Sequence, residues 1–119
     1  MTDRIVVTDY DFPDLSIESA LVEDAADVEL RGEYARTPDE VIEVAEGADA
    51  LLVQYAEITD AVFEALPDLR AVGRYGIGVD SVDLDAATAH GVPVVNVPDY
   101  CIEEVPTHTI ALLLACVRK

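Results

Sequence analysis

Five short apolar stretches, at residues 5–8, 26–30, 50–53, 69–73 and 92–95, alternate with segments that carry helix signals. This alternation constrains the fold more than any other feature of the chain. The clearest helix signal is Thr37-Pro38-Asp39-Glu40. Thr37 is placed to cap, Pro38 suits the first helical position, Glu40 closes a capping box, and Gly47 ends the helix. Thr59 precedes a predicted helix over 60–66 that Pro67 stops, the segment 83–90 forms another closed by Gly91, and a fourth is predicted over 17–24. Strands alternating with helices at this spacing specify an α/β fold in which a parallel sheet carries helices on both faces. A doubly wound, five-stranded sheet of flavodoxin-like strand order is the expected solution. At 119 residues the chain is long enough to bury roughly two-thirds of its unfolded surface around one core. After Pro98 the character changes: Glu103 and Glu104 open a last helix whose stretch 110–117 is apolar all round.

Charge narrows the partners. Twenty-five acidic against seven basic side chains give a net charge of -18, a field that repels nucleic acid and anionic membranes. Seventeen of the acids and three of the bases fall in the first sixty residues, so the first half reads as solvated surface. Lys119 is the one lysine, and such scarcity beside so many carboxylates resembles proteins of salt-loving organisms, whose cytoplasm screens the repulsion; a basic protein partner is the rival explanation. The longest apolar run is too short to span a bilayer. Cys101 and Cys116 show no CxxC and no metal-ligand spacing, and the N-terminus carries no signal-peptide pattern. Reduced thiols, no metal and a cytoplasmic location are therefore expected.

In open parallel sheets a ligand binds beyond the carboxyl ends of the strands, near the point where strand order reverses. That rule selects the loops Asp9-Tyr10-Asp11, Gln54-Tyr55-Ala56, Arg74 to Gly78, and Asn96-Val97-Pro98. The stretch RYGIGVDSVDLDAA is a poor dinucleotide fingerprint: Gly76 and Gly78 supply two glycines, but Ser81 stands at the third place, and Val79 and Asp80 would crowd a pyrophosphate. The same glycines let backbone N–H groups converge on a small anion such as a carboxylate. Plainer readings stand beside these. Gly76 and Gly78 could be turn glycines, Arg74 could pair with surface acid, and Asn96 and Pro98 could shape a turn. Tyr10 and Tyr55 could be rim packing, His90 is best explained by the dipole at a helix C-terminus, and His108 is read as structural.

The segment LRAVGRYGIGVDSVDLDAATAHGVPVVNVPDYCIEEVPTHTIALLLACVRK resembles the N-terminal part of the D-isomer-specific 2-hydroxyacid dehydrogenases. That family includes phosphoglycerate, glycerate and formate dehydrogenases and the C-terminal-binding corepressors. The match runs from about Ala50 to Lys119; residues 1–49 agree in pattern alone. The resemblance implies a substrate-binding domain over 1–100, followed over 101–119 by the first helix of a truncated NAD-binding domain. It also implies a substrate site formed by Gln54, Tyr55, Tyr75, Gly76, Ile77 and Gly78, in which the glycine loop receives the substrate carboxylate and Gln54 and Tyr55 select the substrate. Relatives often carry arginine, histidine or serine at those two positions. Pro106 departs from the family and is expected to delay or kink the first turn of its helix. The family's catalytic arginine, histidine and glutamate follow the dinucleotide fingerprint. The resemblance thus implies a fragment of an NAD-dependent D-2-hydroxyacid dehydrogenase that by itself holds no catalytic residue, binds no NAD and turns nothing over. The last helix, cut from its cover, is expected to pair two chains into a homodimer. A corepressor-like, NAD-sensing binding protein is the alternative. A receiver-type signalling domain fits less well, because Gln54 and Asn96 stand where it needs aspartate and lysine.

Overall fold

In a computed structural model, residues 1–25 and 27–118 are described. Ala26, the expected start of the second strand, and Lys119 lie outside them. The elements alternate as β1 (Asp3–Val7), α1 (Ser16–Glu23), β2 (Val28–Gly32), α2 (Pro38–Val44), β3 (Ala50–Val53), α3 (Asp60–Ala65), β4 (Ala71–Arg74), α4 (Leu84–Ala89), β5 (Val94–Val95) and α5 (Glu104–Val117). All neighbouring strands pair in parallel, in the order β2-β1-β3-β4-β5. This is the flavodoxin-like arrangement, and it puts β1, β3 and β4 side by side.

Register explains the core. Val6, Leu51, Val72 and Val94 stand in one row across β1, β3, β4 and β5, and the first three are fully buried. Val41 and Ala45 at α2, Val62 and Phe63 on α3, and Ala86 and Ala87 on α4 close over this row. The alternate row, Val7, Leu52, Gly73 and Val95, faces the other way, and Val95 is 60% exposed. α1 packs beside β2 and contributes nothing to the main core.

Several element ends differ from expectation. β5 shrinks to two residues, because Val92 N–H donates to the Ala87 carbonyl at 2.8 Å and Pro93 has no N–H to give a ladder. Leu69 donates to the Leu66 carbonyl and belongs to the turn after α3, so β4 starts at Ala71. At α2 the capping box is complete: Thr37 Oγ1 accepts from Glu40 N–H, and Glu40 Oε2 accepts from Thr37 N–H at 3.1 Å. That helix ends at Val44, and Gly47 follows in the left-handed region with φ 72°. Pro106 does not delay α5. It is the third helical residue, where the N–H it lacks would have had no intrahelical partner. Every residue from Ile102 to Arg118 is exposed, and α5 extends a molecule measuring 60 × 33 × 22 Å.

Candidate functional site

Asp9 sets the frame of the site. It directly follows β1 and the buried Thr8, and is itself completely buried. Its carboxylate accepts the backbone N–H groups of Gln54 (3.1 Å), Tyr55 (2.8 Å) and Ala56 (3.2 Å), and the Thr8 hydroxyl at 3.0 Å. Three charge-assisted bonds to consecutive donors fix the loop after β3 against the end of β1. Arg36 lies 3.7 Å from the same carboxylate and places its guanidinium over the rings of Tyr34 (5.5 Å) and Tyr55 (5.1 Å), so Tyr55 is held from below by backbone and from one side by a cation.

Beyond the carboxyl ends of the strands lies a cavity of about 620 Å³. The loop after β1 lines it with Asp11 and Phe12, and the loop after β3 with Gln54 and Tyr55. Arg74 at the end of β4 and the following Tyr75, Gly76, Ile77 and Gly78 form another wall. All six residues expected at a substrate site therefore border one space. Val97, Tyr100 and Cys101, from the segment leading into α5, and Val105 in its first turn complete it.

The six residues are not equivalent. Gln54 is committed to its neighbour: its Oε1 accepts from Asp11 N–H at 2.8 Å and its Nε2 donates to Asp11 Oδ1 at 2.6 Å. Tyr75 donates its hydroxyl to Glu18 Oε1 on α1 at 2.8 Å, and its ring meets Phe12 edge-on at 5.2 Å, which in turn packs on Tyr10 at 5.1 Å. Burial first, and then the hydrogen bond from the tyrosine hydroxyl to Glu18, holds the Tyr75 phenol well above the ordinary tyrosine range. It is a neutral wall. The Tyr75 N–H donates to Val53 carbonyl and the Gly76 N–H to Arg74 carbonyl, both at 2.9 Å. Among the described residues nothing accepts from the N–H groups of Ile77 and Gly78. The loop is braced from behind by Asn96 Nδ2, which donates to Ile77 carbonyl at 2.8 Å, and by Val97 N–H, which donates to Gly76 carbonyl at 2.9 Å.

Arg74 corrects the plainer reading of the sequence. It pairs with no acid among the described residues, its Nε is buried without a partner, and its guanidinium lies against Gly76 on the cavity wall. Gly76 has φ 144° and no room for a side chain, since a Cβ there would collide with the Arg74 guanidinium. His90 is likewise better explained by structure: it caps α4, stacks on Phe63 and meets Asp60 Oδ1 at 3.0 Å, away from the cavity. Phe12 and Tyr100 carry no signal of their own in the sequence, and the settings of Asp9 and Arg74 follow from the way the fold brings separate loops together.

The glycine loop does not suit a dinucleotide pyrophosphate. α4 begins at Leu84 behind the Ile58–Val82 bridge, so no helix N-terminus abuts the glycines, and the guanidinium of Arg74 already covers Gly76. The described residues contain no cluster of three or more His, Cys, Asp or Glu able to hold a metal, and no helix long and apolar enough to cross a membrane.

Comparison with known proteins is consistent with this geometry. A family model described as D-isomer specific 2-hydroxyacid dehydrogenase, catalytic domain, matches residues 5–111. A D-3-phosphoglycerate dehydrogenase of Mycobacterium bovis is 46% identical over 93 residues, which are 77% of this chain and 18% of that protein. A glyoxylate reductase of Pyrococcus horikoshii is 33% identical over 120 residues, covering 99% of this chain and 35% of that one. The fold is shared with a D-lactate dehydrogenase of Aquifex aeolicus, complexed with NAD and lactic acid, at TM-score 0.76 and 22% identity, over 92% of this chain and 32% of that one. The chain thus spans between about a fifth and a third of the length of these proteins.

Proposed function

This chain belongs to the D-isomer-specific 2-hydroxyacid dehydrogenases, by their catalytic domain, and from that membership we propose that its cavity is the substrate-binding side of a cytoplasmic, NAD-dependent oxidoreductase acting on the CH–OH group of a small D-2-hydroxy acid. One observation carries the reading: the unengaged N–H groups of Ile77 and Gly78 lie on the same cavity wall as the unpaired guanidinium of Arg74. Two backbone donors and a fork of guanidinium donors are what a carboxylate requires. Tyr55, Tyr75 and Gly76 then shape the space around the reacting carbon, while Gln54, tied to Asp11, closes its rim.

When bound, the nicotinamide would exchange hydride with C2 of the acid. The glycine loop does not fit it, so in this proposal NAD and the acid/base groups belong to a dinucleotide-binding domain of which residues 101–119 are the first helix. Residues 1–119 alone are then catalytically silent. α5, exposed along its length, is covered by a second copy, making the protein at least a homodimer.

The test is direct. The 119-residue chain, incubated with NAD and a panel of D-2-hydroxy acids, should give no reduced cofactor by absorbance, while a 2-oxo acid should shift the backbone amide resonances of Ile77 and Gly78. Turnover by the chain alone would overturn the assignment of the chemistry elsewhere. Amide resonances that stay still with every acid would overturn the substrate site.

A further inference from the structure

Tyr55 stands as a partition with room on two sides. It borders the cavity described above and also a second hollow of about 410 Å³, whose lining includes Glu57, Thr59, Asp80, Ser81 and Asp83. The residue is 48% exposed, so core packing alone does not fix its ring, which is free to turn toward either space unless something else holds it. Two residues that line neither space, Asp9 and Arg36, supply the restraint.

Asp9 holds the backbone. The consecutive N–H groups of Gln54, Tyr55 and Ala56 form the kind of concave donor set that binds an anion, and the buried carboxylate fills it from inside the fold. Its two oxygens divide the task. Oδ1 accepts from Gln54, Ala56 and the Thr8 hydroxyl, whereas Oδ2 accepts from Tyr55 and faces Arg36 Nε at 3.7 Å. Arg36 holds the ring. Its own backbone is tied twice, by its N–H to Glu40 Oε2 and by its carbonyl, which accepts from Glu57 N–H, both at 2.9 Å, so the guanidinium over Tyr55 stands on a fixed stem. All of these contacts are made within residues 8–57, and the ring is therefore in place before a ligand arrives, whatever else completes the cavity.

We propose that Arg36 is a positioning residue for substrate binding: anchored by Asp9 and acting through the Tyr55 ring, it sets from outside the cavity the wall against which the acid is held. This rests on the cavity being the substrate site. It applies to any small 2-hydroxy or 2-oxo acid, because Arg36 fixes where the ring stands and not which group the ring favours. Freed of Arg36, the ring divides its time between the two hollows, and the acid binds the fraction of molecules in which the wall is in place.

The experiment uses the full protein carrying this chain and follows NADH absorbance with the acid that it reduces fastest among glyoxylate, pyruvate, phenylpyruvate and 3-phosphohydroxypyruvate. Arg36→Ala should raise KM for that acid at least about fivefold, with kcat and the KM for NADH each within about twofold. The side chain of Arg36 is nearly half exposed, so the variant is expected to fold, and its melting curve checks this. Arg36→Lys keeps a charge beside Asp9 without the flat guanidinium and should raise KM less. In a Tyr55→Ala background Arg36→Ala should change KM less than about twofold, because the ring that it holds is gone. A rise in KM of the same size in both backgrounds would mean that Arg36 acts by another route and would overturn the proposal. So would an unchanged KM in Arg36→Ala beside a raised one in Tyr55→Ala, which leaves the substrate site standing. A KM untouched by Tyr55→Ala, or no reduction of any of the four acids, would overturn both.

Discussion

Gly76 and Gly78 are two residues apart and do different work. A side chain at Gly76 meets both a φ of 144° and the Arg74 guanidinium, whereas the nearest atom to a Cβ at Gly78 is Asp80 Oδ2 at 3.8 Å, ordinary contact. Gly76→Ala is therefore expected to destabilise the fold by about 1–3 kcal/mol, the usual cost of a residue held in a disfavoured backbone region. Gly78→Val should leave stability within about 0.5 kcal/mol. It should nevertheless weaken a 2-oxo acid at least tenfold, by screening one or two charge-assisted bonds worth about 1.5–3 kcal/mol each. Urea unfolding of both variants beside the same titration separates the two; equal destabilisation would show that the glycines are turn residues alone. Asp9 makes a third prediction at this scale. Asp9→Ala strands three backbone donors, and at about 1–3 kcal/mol for each unsatisfied group the loss should reach at least about 3 kcal/mol. A smaller loss, read from the urea midpoint at constant slope, would mean that water replaces the carboxylate.

At the scale of elements, α2 and α5 are opposites. α2 is specified locally, with Thr37, Pro38 and Glu40 each at its proper cap position and Val41 and Ala45 delivered to the core. Thr37→Ala should cost about 1 kcal/mol. Backbone hydrogen bonds from Arg36 and Thr37 hold the Glu40 carboxyl below the ordinary glutamate range. Its folded-state pKa is thus depressed, so its contribution is fully present above the unfolded glutamate value and is lost as pH falls through the lower folded value. An acid titration of stability in the wild type and in Glu40→Gln should diverge in that window and nowhere near neutrality. Among the described residues no other helix or strand covers α5, and Ile110, Leu112, Leu113 and Leu114 are each more than half exposed. Leu113→Glu with Leu114→Glu should convert a dimer to a monomer by sedimentation at micromolar concentration. A wild type that sediments as a monomer would refute pairing through this helix.

Over the whole molecule, charge dominates. The arginines at 4, 31, 36 and 70 are engaged with carboxylates, mostly as exposed pairs, and among the described residues most of the acids meet no cation. Exposed pairs contribute little, so the net repulsion of -18 is relieved chiefly by salt. The screening length shortens from about 10 Å at 0.1 M to about 3 Å at 1 M, and the melting temperature should climb by at least about 4 °C over that range of potassium chloride, the equivalent of roughly 1 kcal/mol. A melting temperature that is flat or falls would argue against an adaptation to high salt.

The sequence by itself determined the order of elements, the parallel sheet, the α2 cap and the loops that form the rim, since each is written in the spacing of a few neighbouring residues. It placed the glycine loop on the rim of the cavity for the same reason: a strand end followed by glycines is a local signal. Tertiary structure alone decided which side chains in those loops are free. Gln54 is spent on Asp11, 43 residues away, Tyr75 on Glu18, 57 residues away, and Asp9 disappears beneath the backbone of residues 54–56. Arg74 is the converse case, a cation in an acidic chain that meets no acid among the described residues. Periodicity reports which face a residue takes within its own element, but whether a polar group is satisfied depends on what the fold brings opposite it, and that partner can come from anywhere in the chain.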